Sequence, residues 1–289
     1  MESGQARRAM AAAMAAASAL DLAVDDAVVL NDSNRLVVRL TPADTVVRVT
    51  PMTHHAGHQM SPEREVEVVK RLAQTDSPVA ALDARVDPNV LVRDGFKITL
   101  WTYHEPTPSS LSPPAEYTQA LERLHAGLRK IEVTTPHAMD RVAAVQQDVA
   151  SSDVTPELTD TDRTFLADML RDLRRSIVNR HAPEQLLHGE PHSGNVLTTN
   201  DGPLFIDFEN TAHGPVEYDL GWVPEEVSDR YSAADQDLVG ECRGLVLAMV
   251  AAYRWRRDDQ HPSGRESGVA FLNVLRDGPP WPALDDVAW

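Results

Sequence analysis

The stretch that decides the fold is residues 187–197, which read LHGEPHSGNVL. A short NDG turn follows, and residues 204–209 then read LFIDFE. Two apolar segments therefore flank a turn, and this pattern predicts two strands joined by it. The first strand leaves a loop that carries Glu190 and Asn195, and the second strand ends at Asp207. We therefore expect a carboxylate, an amide and a second carboxylate on adjacent elements.

These three side chains fit phosphoryl transfer, which needs a metal to neutralise phosphate charge and a group that orients or deprotonates the acceptor. Asn195 and Asp207 offer oxygen atoms, the ligands that Mg²⁺ prefers. Glu190 is placed to take the proton of an acceptor hydroxyl. Gly189 and Gly194 permit the tight backbone path that such a loop requires. The spacing from Glu190 to Asn195 equals that between the acid and the metal-binding Asn of the protein-kinase catalytic loop.

The segment resembles the aminoglycoside phosphotransferase/choline kinase family, whose pattern is His-Gly-Asp-x-His-x-x-Asn, then Ile-Asp, then Asp-Leu-Gly or Asp-Leu-Ala. Residues 219–221 supply the last element, DLG. The resemblance implies Mg²⁺-dependent transfer of the γ-phosphate of ATP or GTP to a hydroxyl of a small molecule, with the metal on Asn195 and Asp207. It also implies that His188 braces the catalytic loop and that Asp219 is a structural hydrogen-bonding residue. One departure is Glu190, which stands where the family has Asp.

The rest of the chain predicts an α+β, protein-kinase-like fold with two lobes, a small β-rich one and a larger helical one. Short Val- and Leu-rich segments predict a three-stranded antiparallel meander, and further segments predict two more strands. These five segments are Ala27–Leu30, Arg35–Leu40, Thr45–Thr50, Val90–Val92 and Lys97–Trp101. A helix is predicted to start at Pro62, capped by Ser61. Longer helices are predicted over Glu116–Ile131 and Asp160–Arg180.

A Pro- and Ser-rich stretch at residues 106–114 is the best candidate for a boundary between domains, because Pro interrupts both helix and strand. We accordingly predict a nucleotide-binding lobe over residues 1–104. Residues 105–289 would then form the helical lobe that carries the catalytic and substrate-binding groups.

The nucleotide side is predicted from the third strand and the following helix. Kinase-like folds place a basic residue on that strand, paired with a helix Glu, to hold the α- and β-phosphates. Arg48 occupies that place, and Arg is not equivalent to Lys. Glu65 is the preferred partner, with Glu63 and Glu67 as alternatives.

Two further segments are candidates for nucleotide contacts. No Gly-rich phosphate loop is present, so backbone groups and Ser33 in the turn at residues 31–34 are the candidates for covering the phosphates. An ordinary hairpin turn is the alternative there. The strand that ends near Trp101 should lead into the hinge, where backbone groups of residues 101–103, including Tyr103, are candidates to bind the base. Core packing is the alternative for Trp101.

The composition of the chain excludes several classes of partner and of protein. The net charge of −17 disfavours DNA or RNA as a partner. The single cysteine, Cys242, excludes a disulfide framework within the chain and fits a cytoplasmic location. No segment is long and apolar enough to predict a membrane span. The Ala- and Met-rich run at residues 9–19 imitates a signal peptide but is interpreted as the first helix, with secretion the lesser alternative.

The acceptor is less well defined by the sequence. Acidic residues follow the motif and could attract an ammonium-bearing substrate, although a solvated face is the simpler interpretation of most of them. They are Glu217, Glu225, Glu226, Asp229, Asp235, Asp237 and Glu241. Trp222 is an aromatic candidate to pack on a sugar or cation.

Aminoglycosides, and with them antibiotic resistance, are the leading hypothesis for the acceptor; choline, an amino alcohol or a sugar is the alternative. A catalytically weak nucleotide-binding pseudokinase is a third hypothesis, and the sequence does not set the oligomeric state.

His54, His55 and His58 form a cluster after the third strand. No cysteine or acidic partner lies nearby, so a polar loop is a better interpretation than a metal site. The single His125 on its helix is interpreted as a packed or capping histidine.

Overall fold

The computed structural model describes residues 1, 3–33, 35–52, 61–107 and 111–287. The histidine cluster at residues 54–58 and Asn34 lie outside the described residues. Among the helices that are described, none combines the length and the apolar character needed to cross a membrane.

The first part of the chain forms an antiparallel sheet of five strands. They are β1 (Val24–Asp32), β2 (Leu36–Pro42), β3 (Thr45–Pro51), β4 (Leu91–Arg93) and β5 (Phe96–Thr102). Their order across the sheet is β1-β2-β3-β5-β4. The predicted meander and the two additional strands are therefore confirmed. β3 lies in the middle of the sheet, and Arg48 on β3 is paired with Thr99 on β5.

Two helices pack with this sheet. Helix α1 (Ser3–Ser18) buries its alanine face, including Ala9, Ala13 and Ala17, among the apolar side chains of the strands, which confirms the predicted first helix. Helix α2 (Pro62–Leu72) starts as predicted, because the Ser61 side chain accepts a hydrogen bond of 3.2 Å from the Arg64 N–H. The apolar stripe of α2 joins the core that also holds Trp101.

The second part is mainly helical. Its helices are α3 (Pro114–Leu128), α4 (Ala138–Ala150), α5 (Asp160–Asn179), α6 (Val216–Leu220), α7 (Glu225–Ser228), α8 (Gln236–Arg254) and α9 (Gly264–Asp277). Helix α8 is its centre, with most of its residues buried between α5 and α9. The predicted helices near residues 116–131 and 160–180 are confirmed, within a few residues at their ends.

Two small antiparallel sheets interrupt the helices. One pairs β6 (Glu184–Leu187) with β9 (Ala212–Pro215), and the other pairs β7 (Val196–Thr199) with β8 (Gly202–Phe205). The predicted strand pair around the NDG turn is thus confirmed, and the fold is α+β. The domain division after residue 104 stays a prediction; the Thr107 N–H near it donates to the Thr198 oxygen on β7, at 2.8 Å.

Candidate active site

The loop after β6 is fixed in place by a buried carboxylate. Asp219 accepts hydrogen bonds from the backbone N–H groups of His188, at 2.9 Å, and of Gly189, at 2.8 Å. His125, fully buried on α3, lies 3.0 Å from the same carboxylate through Nε2. Asp219 therefore has the structural role that the resemblance implies, and His125 is the packed histidine that the sequence predicted.

Gly189 lets the loop turn sharply at this point. Its φ is +92°, in the left-handed region that L side chains rarely adopt, and a Cβ there would lie 2.0 Å from the backbone oxygen of Asn210. The chain therefore needs glycine at this position for both conformation and space.

His188 links the loop to the end of β8. Its Nδ1 accepts a hydrogen bond of 3.3 Å from the Glu190 N–H, and its Nε2 lies 3.0 Å from the Ile206 oxygen, so Nε2 carries the proton and donates. Burial lowers the pKa of His188, and the neutral ring is the form that can make both bonds. His188 thus sits where a residue that braces the loop should sit.

Glu190 presents its carboxylate between two side chains that the sequence did not suggest. Oε2 accepts a hydrogen bond from Asn210 Nδ2 at 2.5 Å, and Oε1 lies 3.4 Å from Nη2 of Arg141 on α4. The side chain of Glu190 is 18% exposed, so it remains open to a small molecule. Asn210 lies just after the quoted segment 204–209, and Arg141 lies 49 positions before Glu190. Neither residue therefore had a recognisable signal in the sequence.

Asn195 connects Glu190 with Asp207. Its Nδ2 donates to the Glu190 backbone oxygen at 2.9 Å, and its own backbone oxygen accepts from the Ile206 N–H at 3.0 Å. Since the amide nitrogen is committed to the loop, the amide oxygen is the atom that can ligate a cation.

Asp207 lies two residues after the end of β8, with left-handed backbone angles, φ 72° and ψ 61°, which are uncommon for a residue other than glycine. Its Oδ2 pairs with Arg35, whereas its buried Oδ1 has no hydrogen-bond partner among the described residues. Burial favours the neutral acid, but the charges of Arg35 and Arg48 outweigh it and hold the pKa of Asp207 below its ordinary value.

The orphaned Oδ1 and the Asn195 amide oxygen fit Mg²⁺, which is often bound by one or two protein groups together with phosphates and water. In the described part of the chain, no group of three or more His, Cys, Asp or Glu side chains could hold a metal by itself. Two protein oxygens leave the other positions around Mg²⁺ to phosphates and water, so this donor set suits a metal that is bound together with a nucleotide.

Arg35 is the most prominent residue that the sequence analysis missed. It precedes β2 and pairs with both Asp207 and Glu209, with 3.0 Å between Nη1 and Glu209 Oε2. Burial raises the pKa of Glu209 to about 8, and the charge of Asp207 adds to this shift while Arg35 opposes it. In the sequence, the one signal for Arg35 is its position next to the turn at residues 31–34, which is predicted to cover the phosphates.

On the nucleotide side, Arg48 on β3 forms a buried ion pair with Glu65 on α2. Glu65 also accepts a hydrogen bond of 3.2 Å from the N–H of Phe208, next to Asp207. The alternatives are excluded as partners because Glu63 pairs with Lys97 and Glu67 pairs with Arg71, at 2.8 Å each. The preferred partner is therefore the one that the structure brings to Arg48.

The structure gives less support to the other predicted nucleotide contacts. The Trp101 side chain is buried in the core, with the Arg48 guanidinium 4.7 Å from its ring centre. The N–H of Thr102 donates to the Ala81 oxygen, and the N–H of Tyr103 donates to the Asp44 oxygen, so these two N–H groups are not free for a base. Ser33 is exposed in the β1–β2 turn, and its backbone carbonyl oxygen accepts a hydrogen bond from the Met1 ammonium at 3.2 Å. Its contact with phosphates stays a prediction.

Several of the acidic residues that could attract a cationic acceptor have protein partners. Glu217 accepts from the Asp235 N–H, Glu225 pairs with Arg243, and Glu241 pairs with Arg180. Trp222, by contrast, is fully buried beside the site, with its ring centre 5.4 Å from the Arg141 guanidinium.

A family model described as "Phosphotransferase enzyme family" matches residues 25–260, which is most of the chain. The match includes every side chain of the candidate site. No curated protein sequence matches the chain.

Solved structures of low sequence identity share the fold. A GDP complex of aminoglycoside 2'-phosphotransferase-IIIa is 14% identical, with a TM-score of 0.68 over 94% of this chain and 98% of that one. The amicoumacin kinase hAmiN, in complex with AMP-PNP and Ca²⁺, is 12% identical, with a TM-score of 0.65 over 92% and 93%. A choline/ethanolamine kinase family protein from Mesorhizobium loti is 16% identical, with a TM-score of 0.63 over 91% and 93%. The two-lobed, kinase-like fold is thereby confirmed.

Proposed function

This chain belongs to the phosphotransferase enzyme family, a family of small-molecule kinases, and we propose that it transfers the γ-phosphate of ATP or GTP to a hydroxyl group of a small molecule with Mg²⁺ as the metal. The observation that carries the proposal is the connection between the three motif residues: Asn195 bonds to the backbone of Glu190 on one side and to that of Ile206, next to Asp207, on the other. One short network thus joins the proposed base to the proposed metal ligands.

Each side chain has a role in this proposal. Asn195 and Asp207 would hold Mg²⁺, which when bound neutralises the charge of the phosphates. Arg48, positioned by Glu65, binds the α- and β-phosphates. Glu190 accepts the proton of the acceptor hydroxyl while its carboxylate is oriented by Asn210.

The exchange of Asp for Glu at residue 190 is accommodated by Asn210 and Arg141. Both carboxylate oxygens have a partner, so the longer side chain is held in one position and its extra methylene need not misplace the base. This is our reason for preferring an active enzyme to a pseudokinase. The pairing of Arg35 with Asp207 favours the pseudokinase, because that ion pair has to open before a metal can reach both carboxylate oxygens.

The acceptor is proposed from the family resemblance, the acidic surface and the solved structures of similar fold. Aminoglycosides and other antibiotics are one class, and phosphorylating them would make the chain a resistance enzyme; choline, amino alcohols and sugars are the other. The nucleotide requirement and the single cysteine support a cytoplasmic location, and the predicted lobes over residues 1–104 and 105–289 would bind nucleotide and acceptor respectively.

The test is to incubate the protein with Mg-ATP or Mg-GTP and a panel of aminoglycosides, other antibiotics, choline, sugars and hydroxy acids, and to follow ADP or GDP release. Turnover that Glu190→Gln reduces by a factor of about 10² to 10⁴ supports the proposal. Nucleotide binding without turnover on any acceptor favours the pseudokinase, and full activity of Glu190→Gln rules out Glu190 as the base.

A further inference from the structure

A largely buried arginine faces the proposed base from the helical lobe. Arg141 lies in the first turn of α4, and its guanidinium is 3.4 Å from the Glu190 carboxylate. Both side chains are only partly open, at 19% and 18% exposed. An acceptor whose hydroxyl reaches Glu190 therefore also comes within reach of Arg141.

Aromatic side chains hold this guanidinium in place. The Tyr253 hydroxyl on α8 accepts a hydrogen bond of 3.0 Å from Nε, and the rings of Trp222 and Tyr253 have their centres 5.4 and 5.6 Å from Cζ. The rings restrict water around the cation, and a charge in such surroundings interacts more strongly with an anion than it would in solvent.

The hydrogen-bond donors of Arg141 are not all used. Glu190 is the one carboxylate that pairs with it among the described residues, and the buried Nη1 has no hydrogen-bond partner there. During transfer the acceptor O–H bond breaks and its proton moves to Glu190. The acceptor oxygen bonds to the γ-phosphorus, and the bond from that phosphorus to the leaving nucleoside diphosphate breaks. Glu190 is then neutral, and Arg141 has lost its counter-charge within the protein.

We propose that the acceptor carries a carboxylate group a few bonds from the hydroxyl that is phosphorylated, and that Arg141 binds this carboxylate. A carboxylate matches the planar guanidinium and supplies the counter-charge that Glu190 gives up. An ammonium group at the same place would be repelled by Arg141. Three of the acidic residues that could attract such a group, Glu241, Glu225 and Glu217, are instead engaged with Arg180, Arg243 and the start of α8.

This inference rests on the proposed function, because it needs Glu190 to act on the acceptor. Its test uses small matched probes on the protein loaded with Mg-ADP: glycerate against glycerol, and gluconate against glucose. Saturation-transfer NMR measures binding of each probe to the wild type, to Arg141→Met and to Arg141→Lys. Arg171→Met is the matched control, since Arg171 is a half-exposed arginine on α5. Circular dichroism confirms that each variant is folded, and calorimetry on the same samples measures Mg-ADP affinity.

The expected result is that glycerate or gluconate binds the wild type and the Arg171→Met control, and that glycerol and glucose bind more weakly. Arg141→Met should weaken the binding of the acid about ten-fold or more, Arg141→Lys should weaken it less, and Mg-ADP affinity should be unchanged.

Several results would overturn the inference. It is wrong if neither acid binds, if the acids bind no better than their neutral partners, or if Arg141→Met binds them as well as the wild type does. Any of these with normal Mg-ADP binding rejects the carboxylate acceptor and leaves the phosphotransferase proposal standing. A wild type that binds no Mg-ADP rejects both.

Discussion

Arg35, the residue before β2, forms an ion pair with Asp207, two residues after the end of β8, across 172 positions of sequence. Both side chains are largely buried, at 12% and 17% exposed, and Glu209 shares the same guanidinium. The N-terminal sheet and the catalytic motif are therefore joined through the carboxylate that we assign to the metal. A metal bound at Oδ1 would lie close to this arginine on Oδ2, and the two positive charges would repel each other.

Replacing Arg35 by Met should destabilise the nucleotide-free protein by about 3 kcal/mol, because Asp207 and Glu209 then face each other without a counter-charge. Mg-ADP should raise the unfolding temperature of this variant more than that of the wild type, since the metal no longer binds beside the positive charge of the arginine. Thermal unfolding with and without Mg-ADP measures both effects. Arg71→Met, at a half-exposed helix pair, should change neither. Equal stability of Arg35→Met and the wild type would contradict the pairing.

Gly189→Ala should abolish activity and lower stability by more than the cost of its backbone conformation, because the new Cβ would lie 2.0 Å from the Asn210 oxygen. Gly95→Ala is the matched control. Its φ of +83° is similar, but no atom lies within 4 Å of the added Cβ, so it should lose only about 1–2 kcal/mol. Urea unfolding of both variants separates the steric effect from the backbone effect. A loss no greater in Gly189→Ala than in Gly95→Ala would show that the loop has room to adjust.

Arg48 and Glu65 should act as one unit on the nucleotide. Glu65→Gln leaves the Arg48 cation buried without its partner and should weaken Mg-nucleotide binding, as should Arg48→Met. In a double-mutant cycle, the two losses should sum to clearly more than the loss in the double variant. Isothermal titration with a non-hydrolysable ATP analogue measures all four proteins. Strictly additive losses would mean that the ion pair does not position Arg48.

Stability should fall as the pH drops below about 6.5, partly because of His188. Burial holds the pKa of folded His188 below its ordinary value of 6.5. The unfolded chain therefore binds a proton first as the pH falls, which favours unfolding from pH 6.5 down to the lowered pKa. Below that pH range, the loss of stability caused by His188 no longer grows. His188→Gln removes this contribution, so its stability should depend less steeply on pH between 7 and 5.5, by up to about 1 kcal/mol. Denaturant titrations at a series of pH values test this, and parallel curves for the two proteins would contradict it.

The sequence predicted most of the fold because its signals are local. Alternating Val and Leu residues predicted the strands, and the Ser61-Pro62 start predicted α2. The helical phase explains why Glu65 is the partner of Arg48: it is buried at 1% exposed, whereas Glu63 and Glu67 point to other basic residues. The motif likewise predicted that His188 and Asp219 support the loop from within.

The residues that surround the motif could not be predicted in this way. Arg35 and Arg141 reach Asp207 and Glu190 from elements that are 172 and 49 positions away. Which arginine of a charged chain reaches a given carboxylate depends on how the helices and strands pack together. The predicted base contacts at residues 101–103 met a similar difficulty, because the N–H groups of Thr102 and Tyr103 are taken up by Ala81 and Asp44.

The central claim is that Asp207 is a metal ligand of a nucleotide site, and the most direct measurement is the affinity for a non-hydrolysable ATP analogue with and without Mg²⁺. We predict that Mg²⁺ strengthens binding to the wild type and to Asp201→Asn, a control in the exposed β7–β8 turn. Asp207→Asn should lose most of this strengthening while remaining folded. An Asp207→Asn protein that keeps the full Mg²⁺ dependence would contradict the account.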